Sequence, residues 1–162
     1  MEADAKRKSV LHAMPWEHVK QLIDMQTGER MRRSYPVQIA YEQHKVWAKQ
    51  QYGSGAEYLV QTALAEFINK TKADGFDAKS PLESSDFMFR ANDFPYYFGD
   101  GAEHWVMWCT KRLEPGFEAP VVAVKAIEQR FGQDVEWRYL VNSVEHQSVR
   151  EISHAHIFIK RV

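Results

Sequence analysis

The alternation of side chains in SHAHIFIKRV, residues 153–162, constrains the fold more than any other feature of the chain. Residues two apart on a β-strand point to the same face of its sheet. One face of this segment is apolar and must pack on a core, whereas the other face carries two histidines. The segment is therefore predicted to be a strand in a sheet that is covered on at least one side. The apolar face holds Ala155, Ile157 and Ile159, and the opposite face holds His154, His156, Phe158 and Lys160.

The remaining periodicities divide the chain into a helical half and a half that is rich in strands. Apolar residues recur at helical spacing in PWEHVKQLIDM, PVQIAYEQHKVWAKQQYG and GAEYLVQTALAEFINK, each of which is predicted to be one helix. Strands are predicted in FMFR, HWVMWC and VEWRYLVN, with a further helix in PVVAVKAIEQRFG and a loop at 70–85. This order predicts an α+β fold with N-terminal helices packed on a mostly antiparallel sheet with one further helix. We expect a single domain over 1–162, with residues 1–12 as a flexible tail.

Charge and composition exclude several classes of partner. The chain has 21 basic and 22 acidic residues and a formal charge of -1, so it has no electrostatic footprint for nucleic acid or an anionic membrane. No apolar stretch approaches the roughly 20 residues that a membrane span needs, and the N-terminus has no apolar signal region. Cys109 is the only cysteine, so no internal disulfide can form. We expect a cytoplasmic protein whose partner is a small-molecule metabolite, and its oligomeric state stays open.

The histidine pair on the last strand allows three interpretations. Two imidazoles on one strand face cannot both be protonated cheaply, so one should be neutral near pH 7, as acid–base catalysis or metal binding requires. The first interpretation is polar surface, the second is a metal site, and the third is an acid–base site. A metal site needs a third ligand, and no ligand spacing in the chain matches a known signature, so we predict no metal. The candidates for that third ligand are His104, Asp93, His146 and Glu145.

An aromatic, turn-rich stretch, NDFPYYFGDGAEHWVMW, precedes and enters the predicted HWVMWC strand. Such a loop should fold over a face of the sheet, because large aromatic side chains are unfavourable when fully exposed to water. Asp93 either caps a turn there or orients a histidine. In the second case His104 joins the site, and aromatic side chains frame an organic ligand. Those side chains are Tyr96, Tyr97, Trp105 and Trp108, while His44 is interpreted as a core histidine of its helix.

The chain resembles a fungal family of unknown function that is named for N-acetylglucosamine-induced proteins. The matching pieces, in order, are WEHVKQLI, RRS, YGS, NDFPY, EHWVMW, QSV and HAHIFI. The likeness covers most of the chain, and the set is specific although each piece alone is weak. It implies a fungal, intracellular protein. It implies no particular chemistry, because the family has none firmly established.

A weaker likeness is to the histidine-triad nucleotide hydrolases and transferases. That family has an asparagine-bearing strand, a Gln-x-Val element and a His-φ-His-φ-His run whose central histidine is the nucleophile. The chain departs from this pattern in having three extra residues before the histidines and Phe158 in the place of the third one. The glycines that flank the asparagine in the family are also missing. The residues that occur in the matching order are Asn142, Gln147, Val149, His154 and His156.

These observations predict a small intracellular enzyme without a cofactor that acts on an organic metabolite by histidine acid–base catalysis. The reaction could be proton transfer, cyclisation, elimination or hydrolysis. One alternative is a metabolite-binding or regulatory protein without turnover, and another is a histidine-triad-like hydrolase or transferase. The predicted catalytic residues are His156, His154, His104 and Asp93. The predicted ligand contacts are Arg33, which would hold an anionic group, and Tyr96, Tyr97, Trp105, Trp108, Asn142 and Gln147.

Overall fold

The computed structural model describes residues 1–71, 81–143, 147 and 152–162, which contain six α-helices and four β-strands. No helix in these described ranges combines the length and the apolar composition that crossing a bilayer requires. The helices are α1 Glu2–Lys8, α2 Trp16–Asp24, α3 Tyr35–Tyr52, α4 Gly55–Gln61, α5 Ala65–Thr71 and α6 Val121–Phe131. The strands are β1 Phe87–Ala91, β2 Glu103–Cys109, β3 Val135–Leu140 and β4 Ser153–Arg161, and a short 3-10 helix spans Ser84–Asp86.

The four described strands form one sheet in the order β1-β2-β4-β3, and each neighbouring pair is antiparallel. The predicted α+β class, with N-terminal helices, an antiparallel sheet and one further helix, is confirmed. β4 lies inside the sheet, so its backbone is paired on both sides. In this register His156 lies opposite Val106 on β2 and opposite Leu140 on β3. Trp108 lies opposite His154.

One face of the sheet packs against α6. Ala155, Ile157 and Ile159 of β4 are fully buried there, together with Ala123 and Ile127 of α6. This arrangement confirms the facing that the alternation in β4 predicts. Burial of aliphatic side chains stabilises a fold by about 1.5–3 kcal/mol each, so this face carries much of the core.

The other face of the sheet is covered in two places by N-terminal helices. At one end, Trp16 and Val19 of α2 pack on Phe158. At the other end, Leu64 and the α5 residue Ile68 pack on a group that includes Val106 and Trp108. Between these two apolar clusters lies a row of histidines on β2 and β4, and the cavity described below opens over that row.

Helix α1 differs from the flexible tail that the sequence predicts for residues 1–12. Glu2 and Asp4 lie in its first turn and basic residues in its last, an arrangement that the helix dipole favours. Asp4 pairs with Arg7 and Lys8, each at 2.7 Å. Ala5 is 0% exposed, and α1 lies against α3. Arg7 and Lys8 are therefore held by local ion pairs on a docked helix.

The single helix predicted for 55–70 is also wrong, because the structure divides it into α4 and α5. The break lies at Thr62, whose backbone leaves the helical region with φ -125° and ψ -92°. The Thr62 hydroxyl donates to the carbonyl of Tyr58 at 2.5 Å. A threonine hydroxyl that bonds the preceding turn competes with the helical backbone pattern. The backbone N–H of Leu64 then reaches back to Leu59 at 2.9 Å, which brings Leu64 into the apolar cluster over the sheet.

Candidate active site

A cavity of about 520 Å³ lies over the histidine-bearing face of the sheet. Its size suits a small organic ligand, since such sites typically measure about 300–1,000 Å³. α3, the segment around α4 and the loop after β1 enclose it from the side opposite the sheet. Its floor comes from β2 and β4, through Val106, Trp108, His154 and His156. Its walls include Arg33, Tyr41, His44, Lys45, Lys49, Tyr58, Leu59, Arg90, Asn92, Asp93, Phe94, Tyr96 and Asn142.

The loop after β1 is positioned through an imidazole on β2. The backbone N–H of Tyr96 donates to Nδ1 of His104 at 3.1 Å, and the Tyr96 ring stacks on the His104 ring with centroids 4.5 Å apart. A backbone N–H can only donate, so Nδ1 of His104 must be the bare nitrogen. The neutral ring then carries its hydrogen on Nε2.

His104 passes this constraint on to His156. Nε2 of His104 lies 2.8 Å from Nδ1 of His156, so the hydrogen on His104 is donated to that nitrogen. His156 in its neutral form must then carry its own hydrogen on Nε2. Nδ2 of Asn142 lies 3.2 Å from Nε2 of His156. The chain of hydrogen bonds is completed when this amide is turned so that its oxygen accepts, since the two amide orientations occupy the same space.

Burial keeps both of these rings neutral. The pKa of His104 is held well below its usual value of 6.5 by burial, with smaller contributions from His156 and the Arg33 cation. Burial also lowers the pKa of His156 to about 3, assisted by His154 and Arg33. Burial likewise raises the pKa of the Tyr96 phenol, which therefore remains a protonated donor. The two rings at the centre of the site are thus uncharged near neutral pH, and burial, more than the repulsion between the β4 imidazoles that the sequence suggests, is the main cause.

His154 has the opposite tautomer and a free nitrogen. Its Nδ1 lies 3.0 Å from the backbone carbonyl of Ile152, which can only accept, so Nδ1 carries the hydrogen. Within the described residues, Nε2 of His154 has no hydrogen-bonding partner. The ring lines the cavity and packs against Trp108 with centroids 4.9 Å apart. Its pKa is lowered, chiefly by burial, so Nε2 presents a lone pair.

Asn92, the neighbour of Asp93, holds the turn after β1. Oδ1 of Asn92 accepts the backbone N–H of Phe94 at 2.8 Å, and its Nδ2 lies 3.4 Å from Nε2 of His104 in a contact between two donors. The side chain of Asp93 is 54% exposed and pairs with Arg90 at 3.0 Å. The prediction that Asp93 orients a histidine therefore fails, because successive turn residues point in different directions and the carboxylate faces the rim.

Arg33 lies in the cavity wall, where the sequence predicts an anion-binding group. Its Nε donates to the Phe94 carbonyl at 2.6 Å. Its guanidinium carbon lies 3.9 Å from the ring centroid of Tyr41 and 5.3 Å from that of Tyr96. The side chain is therefore fixed at its Nε and on one ring face, and it is half-buried in the wall.

Two predicted ligand contacts lie elsewhere. Tyr97 is exposed and borders a second cavity between the segment before α2 and the loop after β1. Trp105 lies on the α6 face of the sheet, where it packs on Phe131 and donates to Glu103 at 3.0 Å. The place of Trp105 follows from strand alternation, because it directly follows His104 on β2, whereas that of Tyr97 depends on the path of the loop.

Gln147 supports a cavity residue without lining the cavity. Its Nε2 donates to the backbone carbonyl of Asn142 at 2.9 Å. Its Oε1 is buried and has no hydrogen-bonding partner among the described residues. Gln147 therefore fixes the backbone of Asn142, which does line the cavity, as do the predicted contacts Tyr96 and Trp108.

Several wall residues were missed because they lie far from the strands in sequence. One stripe of α3 faces the cavity at the i, i+3, i+4, i+7, i+8 spacing that one helix face requires. The ring of His44 in this stripe lies 4.8 Å from that of Tyr58 and 5.1 Å from that of Phe94, so it is a wall residue more than a core histidine. The stripe consists of Tyr41, His44, Lys45, Ala48 and Lys49. All except Ala48 carry a polar group, and polar residues at helical spacing are the signal that could have identified it.

The described residues hold no group of three histidine, cysteine, aspartate or glutamate side chains close enough to bind a metal ion. Of the four side chains considered as a third metal ligand, His104 bonds His156 and Asp93 pairs with Arg90. His146 and Glu145 lie outside the described residues, as does Val149.

Comparison with known proteins places the chain among fungal relatives. A Saccharomyces cerevisiae protein named "Uncharacterized protein YPL067C" is 30% identical over 158 residues, which span 89% of this chain and 77% of that protein. "N-acetylglucosamine-induced protein 1" of Candida albicans is 25% identical over 173 residues, spanning 91% of this chain and 68% of the relative. A solved structure described as "Crystal Structure of HTC1" shares 26% identity and a TM-score of 0.56, covering 91% of this chain and 85% of that one. The family described as "Protein of unknown function (DUF3605)" matches residues 15–160. The resemblance to the fungal family is confirmed, and the chain belongs to the DUF3605 family.

Proposed function

We propose that the cavity binds a small organic metabolite and that His154 accepts a proton from it. The observation that carries this proposal is the asymmetry of the His154 ring. One nitrogen is held by the Ile152 carbonyl, and the other has no partner among the described residues. A general base needs such a lone pair within reach of the substrate.

His154 is a better proton acceptor than His156, although both line the cavity. Nδ1 of His156 receives the hydrogen of His104, and its Nε2 faces Asn142. A proton could enter that ring only by breaking one of these two contacts. His154 requires no such rearrangement, and its lowered pKa keeps the lone pair available near neutral pH.

His104, His156 and Asn142 act as positioning residues in this proposal. Their hydrogen-bonded chain begins at the backbone of Tyr96 and crosses from β2 to β4. This chain fixes the aromatic loop over the sheet and keeps the His156 imidazole in one orientation. The ring centroids of His156 and His154 are 5.7 Å apart. The protonated Tyr96 phenol also borders the cavity, where it is hydrogen-bonded with the Asn142 side chain.

The reaction begins with removal of a proton from carbon, nitrogen or oxygen of the metabolite. Proton transfer, elimination and cyclisation share this first step, whereas in hydrolysis the same base would take the proton from the attacking water. Aromatic and aliphatic walls, including Tyr58, Phe94 and Trp108, limit water around the base. A dry environment strengthens the electrostatic interactions on which such a step depends.

Incubation of the protein with a small-molecule extract of a fungus, followed by untargeted mass spectrometry, tests the proposal. The wild-type protein should consume at least one compound and produce another, and His154→Gln should abolish this conversion while keeping the cavity polar. His18→Gln is the matched control, since that histidine lies on α2 beside Glu29, outside the cavity. Conversion that survives in His154→Gln, while the circular dichroism of the two variants is the same, would contradict the role of the base.

A ligand-binding protein without turnover is the second candidate. One observation favours it: within the described residues, no carboxylate contacts His104, His154 or His156, so none of them is paired in the way that often strengthens a catalytic histidine. Retention of one compound by the wild-type protein after gel filtration of the same extract, with no compound converted, would select this candidate.

A further inference from the structure

We infer that the ligand of this cavity carries a dianionic group, such as a phosphate monoester, held by Arg33 and Lys49. The inference rests on the proposed binding function of the cavity and adds to it the chemical class of the ligand. It is carried by the charges of the wall and by the groups that pair with them.

The cavity wall contains four cations and one carboxylate. Arg90 is paired with that carboxylate, Asp93, at 3.0 Å. Lys45 is paired with Glu42, just outside the lining, at 2.9 Å. Among the described residues, neither of the remaining cations, Arg33 and Lys49, has a carboxylate partner. Within the part of the chain that the structure describes, two positive charges of the wall are therefore uncompensated.

The guanidinium of Arg33 is arranged to bind an anion. Its Nε is occupied by the Phe94 carbonyl and its face by the Tyr41 ring. Within the described residues, the two terminal nitrogens have no hydrogen-bonding partner. A planar fork with both terminal nitrogens available is the geometry that binds carboxylate or phosphate through two parallel hydrogen bonds.

Part of the positive charge of the wall is gathered around one aromatic ring. The Tyr41 ring contacts two cations, with the Arg33 guanidinium carbon 3.9 Å and Lys45 Nζ 4.7 Å from its centroid. Lys45 and Lys49 lie four residues apart on α3, where like charges destabilise a helix. This clustering opposes helix stability, whereas a bound anion would offset it.

The neutral histidines beneath this region add no further positive charge. The surplus of two positive charges among the described wall residues therefore belongs to Arg33 and Lys49. A phosphate monoester carries about -1.5 to -2 charges near pH 7 and balances that surplus better than a single carboxylate. The remaining walls are largely aromatic, with Tyr58, Phe94 and Trp108. They suit a flat or ring-shaped organic body on the anionic group.

Three compounds with one aromatic body and different charges test the inference by isothermal titration calorimetry. They are 1-naphthyl phosphate, 1-naphthoate and 1-naphthol, and inorganic phosphate measures the contribution of the anion alone. We expect naphthyl phosphate to bind about tenfold tighter than naphthol, equivalent to about 1.4 kcal/mol, with naphthoate between them. The affinity for naphthyl phosphate should fall as salt rises, because the contact is electrostatic.

Lys49→Gln removes one cation from an exposed helix position and should leave the fold intact. It should weaken naphthyl phosphate severalfold without changing naphthol, and Arg33→Lys, which keeps the charge but loses the planar fork, should also weaken it. Lys125→Gln on α6, behind the sheet, is the matched control and should change neither affinity.

The inference is overturned if naphthyl phosphate binds no tighter than naphthol, including the case in which none of the three binds, or if Lys49→Gln and Arg33→Lys both match wild type. Conversion or retention of a compound in the extract experiment decides the proposed function separately, since that test assumes no ligand charge.

Discussion

Nε2 of His104 lies 2.8 Å from Nδ1 of His156, and this contact joins the two central strands of the sheet through their side chains. The backbone N–H of Tyr96 donates to Nδ1, the other ring nitrogen of His104. Each of the two neutral rings therefore has only one permitted tautomer. The loop, the two strands and Asn142 are thereby linked by one directional chain of hydrogen bonds. His154 stands outside that chain, with its hydrogen on the other type of ring nitrogen.

The first prediction concerns these tautomers. His104 and His156 should carry hydrogen on Nε2, whereas His154 should carry it on Nδ1, which is the less common neutral form. Long-range ¹H–¹⁵N correlation spectra of the imidazole rings at pH 7 distinguish the two forms directly. Finding Nε2–H on His154, or a charged ring at any of the three positions, would remove the basis for assigning the lone pair of His154 to the cavity.

The second prediction concerns the pH dependence of stability. The folded-state pKa of His156 is about 3, against 6.5 in the unfolded chain, so the unfolded state binds a proton in this window and the folded state does not. Stability should therefore be fully present above about pH 6.5 and should fall as the pH drops through the window. His156 alone should contribute a loss of about 2 kcal/mol between pH 6.5 and pH 5, and His104 and His154 act in the same direction.

Urea denaturation at pH 5, 5.5, 6, 6.5 and 7 measures this slope. His156→Gln should have a shallower slope than wild type, whatever its absolute stability, since one of the titrating groups is gone. His12→Gln, which changes an exposed residue before α2, should keep the wild-type slope. A free energy of unfolding that is flat or rises on acidification from pH 6.5 to 5 would show that the buried histidines do not titrate as described.

The third prediction is that His104 contributes more to stability than to ligand contact. His104→Phe fills similar space but leaves the Tyr96 N–H and Nδ1 of His156 without their partner. Each buried polar group left unpaired costs about 1–3 kcal/mol, so we expect a loss of about 2–6 kcal/mol. Chemical denaturation measures it, and His18→Phe on α2 serves as the comparison, with an expected loss of about 1 kcal/mol or less. Equal losses in the two variants would mean that the hydrogen-bonded chain contributes little.

The fourth prediction separates the neighbours Asn92 and Asp93. Asn92→Ala removes the acceptor for the Phe94 N–H and should cost about 1–2 kcal/mol, whereas Asp93→Ala breaks an exposed ion pair worth about 0–1 kcal/mol. Asn92→Ala should also shift the ring resonances of His104 in NMR spectra, because the loop rests on that ring. A larger effect from Asp93→Ala on both measurements would show that the Asp93 carboxylate, and not the Asn92 amide, holds the loop and His104 in place.

The periodic elements of this fold were accessible from the sequence because burial imposes their period. The facing of β4 follows from its alternation, and the same rule identifies Trp108 as a cavity residue and Trp105 as a residue of the opposite face. The division between α4 and α5 was not accessible, since it depends on one hydroxyl, that of Thr62, bonding the previous turn. Nor was the docking of α1, where short-range ion pairs and one buried alanine decide between helix and tail.

The site was only partly accessible for a related reason. The contact between His104 and His156 could be predicted only from the pairing of β2 with β4 and from the register of that pair. No local pattern in either strand specifies the pairing or the register. The turn after β1 is harder still, because Asn92 and Asp93 are both suited to turns and only the path of the backbone decides which one points inward. The contribution of α3 depends on how a distant helix packs over the sheet.

The order of the strands has a consequence for the biosynthesis of the protein. β4 lies between β2 and β3 in the sheet but follows both in the chain, so within the described sheet β3 has no neighbour until residues 153–161 have been synthesised. A nascent chain that has just completed β3 presents unpaired strand edges and uncovered apolar side chains, features that favour aggregation and chaperone binding. His154 and His156 arrive with the same late strand. The ribosome must therefore finish that segment before the sheet can close, and before any chemistry at these imidazoles can begin.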